Sequence, residues 1–221
     1  MKEDVRLNRF KFNFIIALLF SILTIIFIIP AKLLGNLNNK FWLCLAADIL
    51  VYFIYPCLQL IKKKEFPWVI GLIICLQFMF GLTIANAFDM YENVKHWDLI
   101  LHGLFGAELL FIGYFIRINN GGDSMNALGR FIFLFMFVIG VAMVWEISEY
   151  IAYLITDKDF SHMFDYKPGE NPLYDTMTDV IVALVGANIV YYIFVIDYIT
   201  GRKTINKIKK TLLIEDGKNE N

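Results

Sequence analysis

The chain has 221 residues, of which 58% are hydrophobic and 19% charged, with a formal net charge of −1. Soluble domains carry nearer half apolar and a quarter charged residues, so this balance excludes an ordinary water-soluble globule. Near-neutral charge, with no basic stripe interleaved with aromatics, argues against a nucleic-acid partner.

The apolar residues fall in blocks of about 20, the length that crosses roughly 30 Å of hydrocarbon. The sequence therefore predicts an all-α protein, a polytopic transmembrane helical bundle of six spans. In chain order they run 13–34, 41–61, 67–87, 98–117, 128–155 and 176–198. Residues 1–200 read as a single transmembrane domain and 201–221 as a charged cytoplasmic tail, within which 204–213 can form a short surface helix. The first block follows Lys2, Arg6, Arg9 and Lys11 like a signal peptide. It is long and lacks a small-residue cleavage site, so it reads as a retained helix. Pro67 opens the third span, a position tolerated in a first helical turn. Cys44, Cys57 and Cys75 lie in apolar runs without a CxxC pair. They read as small buried hydrophobes, neither a disulfide framework nor a thiolate metal site.

Orientation follows from lysine and arginine. With the N-terminus inside, inner segments hold fifteen of these residues and outer segments five. Both termini are then cytoplasmic, and the pattern fits a bacterial inner membrane. The outer segments 88–97 (FDMYENVKHW) and 156–175 (TDKDFSHMFDYKPGENPLYD) are the most polar outside the termini. The second is long enough to fold over a site as a lid. His96 and His162 read as loop residues, and Trp97, Trp145, Tyr91, Tyr150 and Tyr174 as an interfacial aromatic belt.

Three helices then deliver ionisable pairs to one layer. Asp98 and His102 open span four, four residues apart and so about 40° apart on one face. Glu146 and Glu149 come late in span five, and Asp175 and Asp179 open span six. Asp48 falls in the outer half of span two. A carboxylate inside a spanning helix costs roughly 2.5–3.5 kcal/mol on insertion scales. Asp48, Glu108, Glu146 and Glu149 all lie in apolar runs and need partners. A cavity open to the outer side would let them face one another, with Glu146 and Glu149 met by His102 and Asp179. Plainer roles compete: Asp98 as a dipole-favoured helix start, Asp175 as an N-cap, His102 packed on Asp98, and Glu108 as an interhelical contact on another face. Gly103, Gly106 and Gly186 suit close helix approach.

A histidine among carboxylates is a mixed N/O set suited to a divalent metal of the zinc, manganese or iron type. On this reading His102, Asp98 and Asp175 are candidate metal ligands, and Glu149, Asp179 and Glu146 candidate catalytic groups. One histidine is fewer than hydrolytic zinc sites use. Without metal, the same groups can do acid–base chemistry or relay protons. No Walker loop, nucleotide fingerprint, GxSxG or HExxH occurs. The leading expectation is a membrane-embedded enzyme acting on a lipid or lipid-linked head group at the outer leaflet. Its rivals are a non-catalytic lipid- or partner-binding membrane protein and a small proton-coupled transporter. The transporter ranks lower because the inner half offers little beyond Gln77 and Asn188.

The motifs DLILH at 98–102, WEISEY at 145–150 and YDTMTD at 174–179, followed by Gly186 and Ala187, form an ordered set. Over roughly 88–190 the chain resembles the YjdF-like family of bacterial inner-membrane proteins. More remotely it is similar to the VanZ-like group, which includes a protein linked to teicoplanin resistance. There an Asp-x-x-x-His pair opens one span, a Glu lies on the next and an Asp opens a later one. The resemblance implies Asp98, His102, Glu146, Glu149, Asp175 and Asp179 as the shared positions and supplies no reaction. The Gln and Arg that follow the VanZ-like Glu have no counterpart here.

Overall fold

The computed structural model of the chain describes residues 2–62, 66–156 and 173–212. Among these residues there are ten α-helices and no strand. Six segments are long and apolar enough to cross a membrane: Lys11–Leu33, Asn39–Lys62, Trp68–Ala87, Trp97–Asn119, Ala127–Ile151 and Leu173–Ile199. The protein is therefore an all-α, multi-pass membrane protein, with spans close to those predicted. Leu19, Leu50, Leu104, Met136 and Ile189 each expose more than half of their surface. In water such a surface would drive aggregation. In lipid it carries no penalty, and packing and internal polar contacts hold the helices together.

The chain divides into two compact units. The first, Met1–Lys95 with Ile208–Asn221, contains α1 (Lys2–Ile26), α2 (Ile28–Leu33), α3 (Asn39–Lys62) and α4 (Trp68–Phe78). A π-helical turn (Met79–Ile84), α5 (Ala85–Ala87) and α6 (Met90–Asn93) follow. The first span is not continuous: α1 stops at Ile26, four residues before Pro30. Proline has no N–H to give the carbonyl four residues back, and its ring crowds that carbonyl. The chain turns at Phe27, whose N–H reaches Thr24 O at 3.1 Å. Pro67 sits just ahead of α4 in extended geometry, φ −61° and ψ 128°. The core packs Ile16, Ala17 and Phe20 of α1 against Tyr52 of α3, Cys75 of α4 and Met79. Cys44 and Cys75 are buried as expected, whereas Cys57 is exposed on an apolar face.

Polar ties cross this unit. Asn13 Nδ2 donates to Gln59 Oε1 at 2.6 Å and to Phe66 O at 3.1 Å, and Tyr55 OH donates to Pro67 O at 2.8 Å. Asp48, fully buried, which the sequence suggested would face the other intramembrane carboxylates, finds its hydrogen-bond partners within this unit. Its Oδ2 accepts from Thr83 N at 3.2 Å and from Thr83 Oγ1 at 2.6 Å. Tyr52 also bonds it, and Thr24 Oγ1 lies 3.0 Å from Tyr52 OH. The π-helical turn explains the pairing. Its wider winding alters the regular ladder of backbone bonds, and a mid-helix N–H turns to a side chain.

The second unit, His96–Lys207, contains α7 (Trp97–Asn119), α8 (Ala127–Thr156) and α9 (Leu173–Ile199). A short connection reverses the chain after α7. Gly121 there takes φ 76°, and the buried Arg117 closes the turn by donating to Gly122 O from Nη1 at 2.6 Å. Helices α7 and α9 meet backbone to backbone. A Cβ on Gly106 would lie inside the Ala183 backbone, and one on Gly186 inside the Gly103 carbonyl. Helix α10 (Lys203–Leu212) falls where a short helix was expected, at 204–213. Most of the expected lid, residues 157–172 with His162, lies outside the described residues, as does the end of the tail from 213.

Candidate functional site

His96, at φ 63° in the left-handed region, immediately precedes α7, which starts at Trp97. Asp98 therefore lies in the first turn and His102 one turn on. His102 Nε2 stands 3.6 Å from Asp98 Oδ1 and 4.0 Å from Asp179 Oδ2. On the other edge of the ring, His102 Nδ1 is 3.8 Å from Glu146 Oε1. The start of α7, the end of α8 and the start of α9 thus converge on one imidazole. Burial is graded: side-chain exposure is 29% at Asp98, 7% at His102, 3% at Glu146 and 3% at Asp179. The cluster opens toward the helix ends through Asp98.

All three separations exceed hydrogen-bonding distance. His102 Nδ1, Glu146 Oε1 and Asp179 Oδ1 are buried and make no hydrogen bond among the described residues. Each such group costs about 1–3 kcal/mol unless something else satisfies it. One donor atom each from Asp98, His102 and Asp179 lies within 4.8 Å of the others. Ligands bound to zinc at about 2.0–2.2 Å stand roughly 3.3–3.6 Å apart in a tetrahedron. Only a small contraction would close this set on an ion. Asp98 and Asp179 are also hydrogen-bonding partners of each other, and two carboxyl groups can pair only by sharing a proton or a cation.

The remaining candidates form a rim. Thr176, one residue after Asp175, hydrogen-bonds Glu146, and Asp98 and Asp175 act on Glu146 electrostatically. Glu149, half-buried, accepts a hydrogen bond from Trp145 and feels Glu146, Asp98 and Asp179. Asp98, His102, Glu146 and Asp179 are thus brought together, with Glu149 and Asp175 beside them. Asp175 is not an N-cap, because α9 begins at Leu173 and places it inside the first turn. There it complements the positive end of the helix dipole, as Asp98 does on α7. Glu108 is half-buried elsewhere on α7. Thr176 and Trp145 are the contributors that the sequence reading did not select. Threonine beside Asp175 is the available signal for the first, and Trp145, four residues before Glu149, reads from sequence as part of the aromatic belt. The backbone contact at Gly103, Gly106, Ala183 and Gly186 begins just below His102 and fixes its distance to Asp179.

Six apolar spans and a buried carboxylate–imidazole knot at the ends of three of them define a multi-pass integral membrane protein. The chain belongs to the family described as predicted membrane protein (DUF2238), whose model matches residues 12–198. No curated protein and no solved structure matches the chain.

Proposed function

We propose that the protein is a membrane-embedded, metal-dependent hydrolase that acts on a lipid or lipid-linked head group. The observation that carries this reading is that His102 is buried among Asp98, Glu146 and Asp179, each too far from its ring to hydrogen-bond it. Asp98, His102 and Asp179 would hold a divalent ion of the zinc, manganese or iron type, with Asp175 nearby. Such an ion supplies Lewis acidity toward a phosphoryl or carbonyl oxygen. Glu146, facing His102 Nδ1, would fix the ring so that Nε2 points to the two aspartates, as carboxylates behind metal-binding histidines do. Glu149, outside that ligand set and held by Trp145, is the proposed general base that takes the proton of an attacking water. A head group reaches the cluster from the helix ends, where Asp98 is partly open to the surface.

In this reading the family is the YjdF-like one, and the similarity to VanZ-like proteins rests on the Asp98–His102, Glu146 and Asp179 pattern alone. The membrane is a bacterial inner membrane, 1–200 forms the transmembrane domain, and both termini are cytoplasmic, as the lysine and arginine distribution supports.

The test is metal content by mass spectrometry on protein purified in detergent without chelator. About one divalent ion per chain is expected, lost in His102→Ala and Asp179→Asn but kept in Glu149→Gln. Circular dichroism verifies folding of each variant. Wild-type protein without metal, or metal that survives His102→Ala in folded protein, overturns the reading.

A further inference from the structure

The tail after the last span carries a feature that the candidate site does not use. Helix α9 ends at Ile199, and α10 begins four residues later at Lys203. The junction is fixed. Gly201 and Arg202 take φ 105° and 60°, and Arg202 N donates to Asp197 O at 2.6 Å. The Asp197 carboxylate accepts from Thr204 N at 2.9 Å and from Ile205 N at 2.7 Å. An aspartate of the spanning helix thus caps the next helix. Two of the four N–H groups that a helix start leaves unsatisfied are met. The Arg202 guanidinium stacks 4.2 Å from the Tyr198 ring centre, and such aromatic residues sit at bilayer boundaries.

The sequence KTINKIKKTL places Ile205, Ile208 and Leu212 at positions i, i+3 and i+7, one helical stripe. Positions 203, 207 and 210, all lysine, fall on the opposite side. Thr204, Asn206 and Lys207, which lie off that stripe, are exposed. Five cations, Arg202, Lys203, Lys207, Lys209 and Lys210, lie between Asp197 and Glu215 with no acidic residue among them. A basic amphipathic helix suits a membrane surface or a helix-binding protein groove. Here it is tethered at a set angle to the point where a span leaves the bilayer, so the membrane is already its neighbour. We infer that α10 lies in the membrane interface and binds anionic phospholipid head groups, with its isoleucine stripe toward the acyl chains and its lysines toward phosphate.

Trypsin tests this on the full chain, because every cation of the segment is a cleavage site. The protein is reconstituted in nanodiscs of phosphatidylcholine alone and in nanodiscs of equal phosphatidylcholine and phosphatidylglycerol. One cation near an anionic surface is worth about fivefold in binding. Cleavage within 202–210 should therefore slow by at least about fivefold in the anionic discs. Raised salt should return most of that protection, and Ile205→Ser with Ile208→Ser should abolish it while leaving the lysines in place. Cleavage at the exposed Lys95 is the internal control and should not change. Equal rates in the two lipids overturn the inference and leave an acidic protein as the alternative occupant. Equal slowing at Lys95 also overturns it, by assigning the effect to the protease.

Discussion

His102 offers two ring nitrogens, and the fold sets carboxylates against both. The two sides should respond differently to mutation. Replacing the ring in His102→Ala removes the proposed metal ligand, whereas Glu146→Gln keeps the shape and removes only the carboxylate behind the ring. Loss of such a supporting partner weakens metal binding by about 10–100-fold, so Glu146→Gln should still bind metal, with that loss of affinity in a competition titration. Affinity unchanged in Glu146→Gln would deny Glu146 this role. Asp48 gives the opposite prediction. Asp48→Ala strands the Thr83 N–H and hydroxyl in the core and should cost about 2–4 kcal/mol, read as a lower melting temperature in detergent. Metal content should stay at the wild-type level. These two clusters were unequally legible in the sequence. Asp98 and His102 are four apart on one helix, and depth along the spans brings Glu146 and Asp179 level with them. The Asp48 pairing depends on where the third span widens, and MFGLTI at 79–84 reads as plain apolar helix.

Helix contacts explain why the cluster has the dimensions it has. At the α7–α9 crossing, backbone touches backbone, and an added methyl has no flexible side chain to push aside. Gly106→Ala and Gly186→Ala should each destabilise by about 1–3 kcal/mol or more, the range for overpacked sites. They should also lower metal content by parting His102 from Asp179. Gly140, in mid-α8, has open space where its Cβ would be. Gly140→Ala should stabilise by about 0.5–1 kcal/mol from helix propensity alone, and thermal melting of the three variants separates crowding from propensity. The spans themselves were readable because blocks of apolar length admit little else in a bilayer. The break at Phe27 was not marked, although Pro30 four residues beyond Ile26 carries its cause. The start of α9 at Leu173 came earlier than the apolar run suggested, because Tyr174 and Asp175 are polar enough to pass for loop.

An even number of spans returns both ends of the chain to the same side of the membrane, whichever side that is. The candidate site adds a demand of its own: it belongs to one leaflet only. Helix α7 has 23 residues, a rise of roughly 34 Å, enough to cross roughly 30 Å of hydrocarbon. Lys95, just before it, and Ser124, just after it, must therefore face opposite compartments, and both are exposed. Asp98 sits three residues from Lys95, so the open edge of the cluster shares its side. Lysine and arginine crowd the other side, fifteen against five, and under the proposed orientation Lys95 lies outside. An impermeant maleimide applied to intact cells should label Lys95→Cys and spare Ser124→Cys, with the pattern reversed in inverted vesicles. The native Cys44, Cys57 and Cys75 lie within spans and stay beyond an aqueous reagent. Labelling of Ser124→Cys from outside would turn the cluster toward the cytoplasm. A head group displayed in the outer leaflet could then not reach Asp98, and the substrate would have to be sought among cytoplasmic lipid precursors.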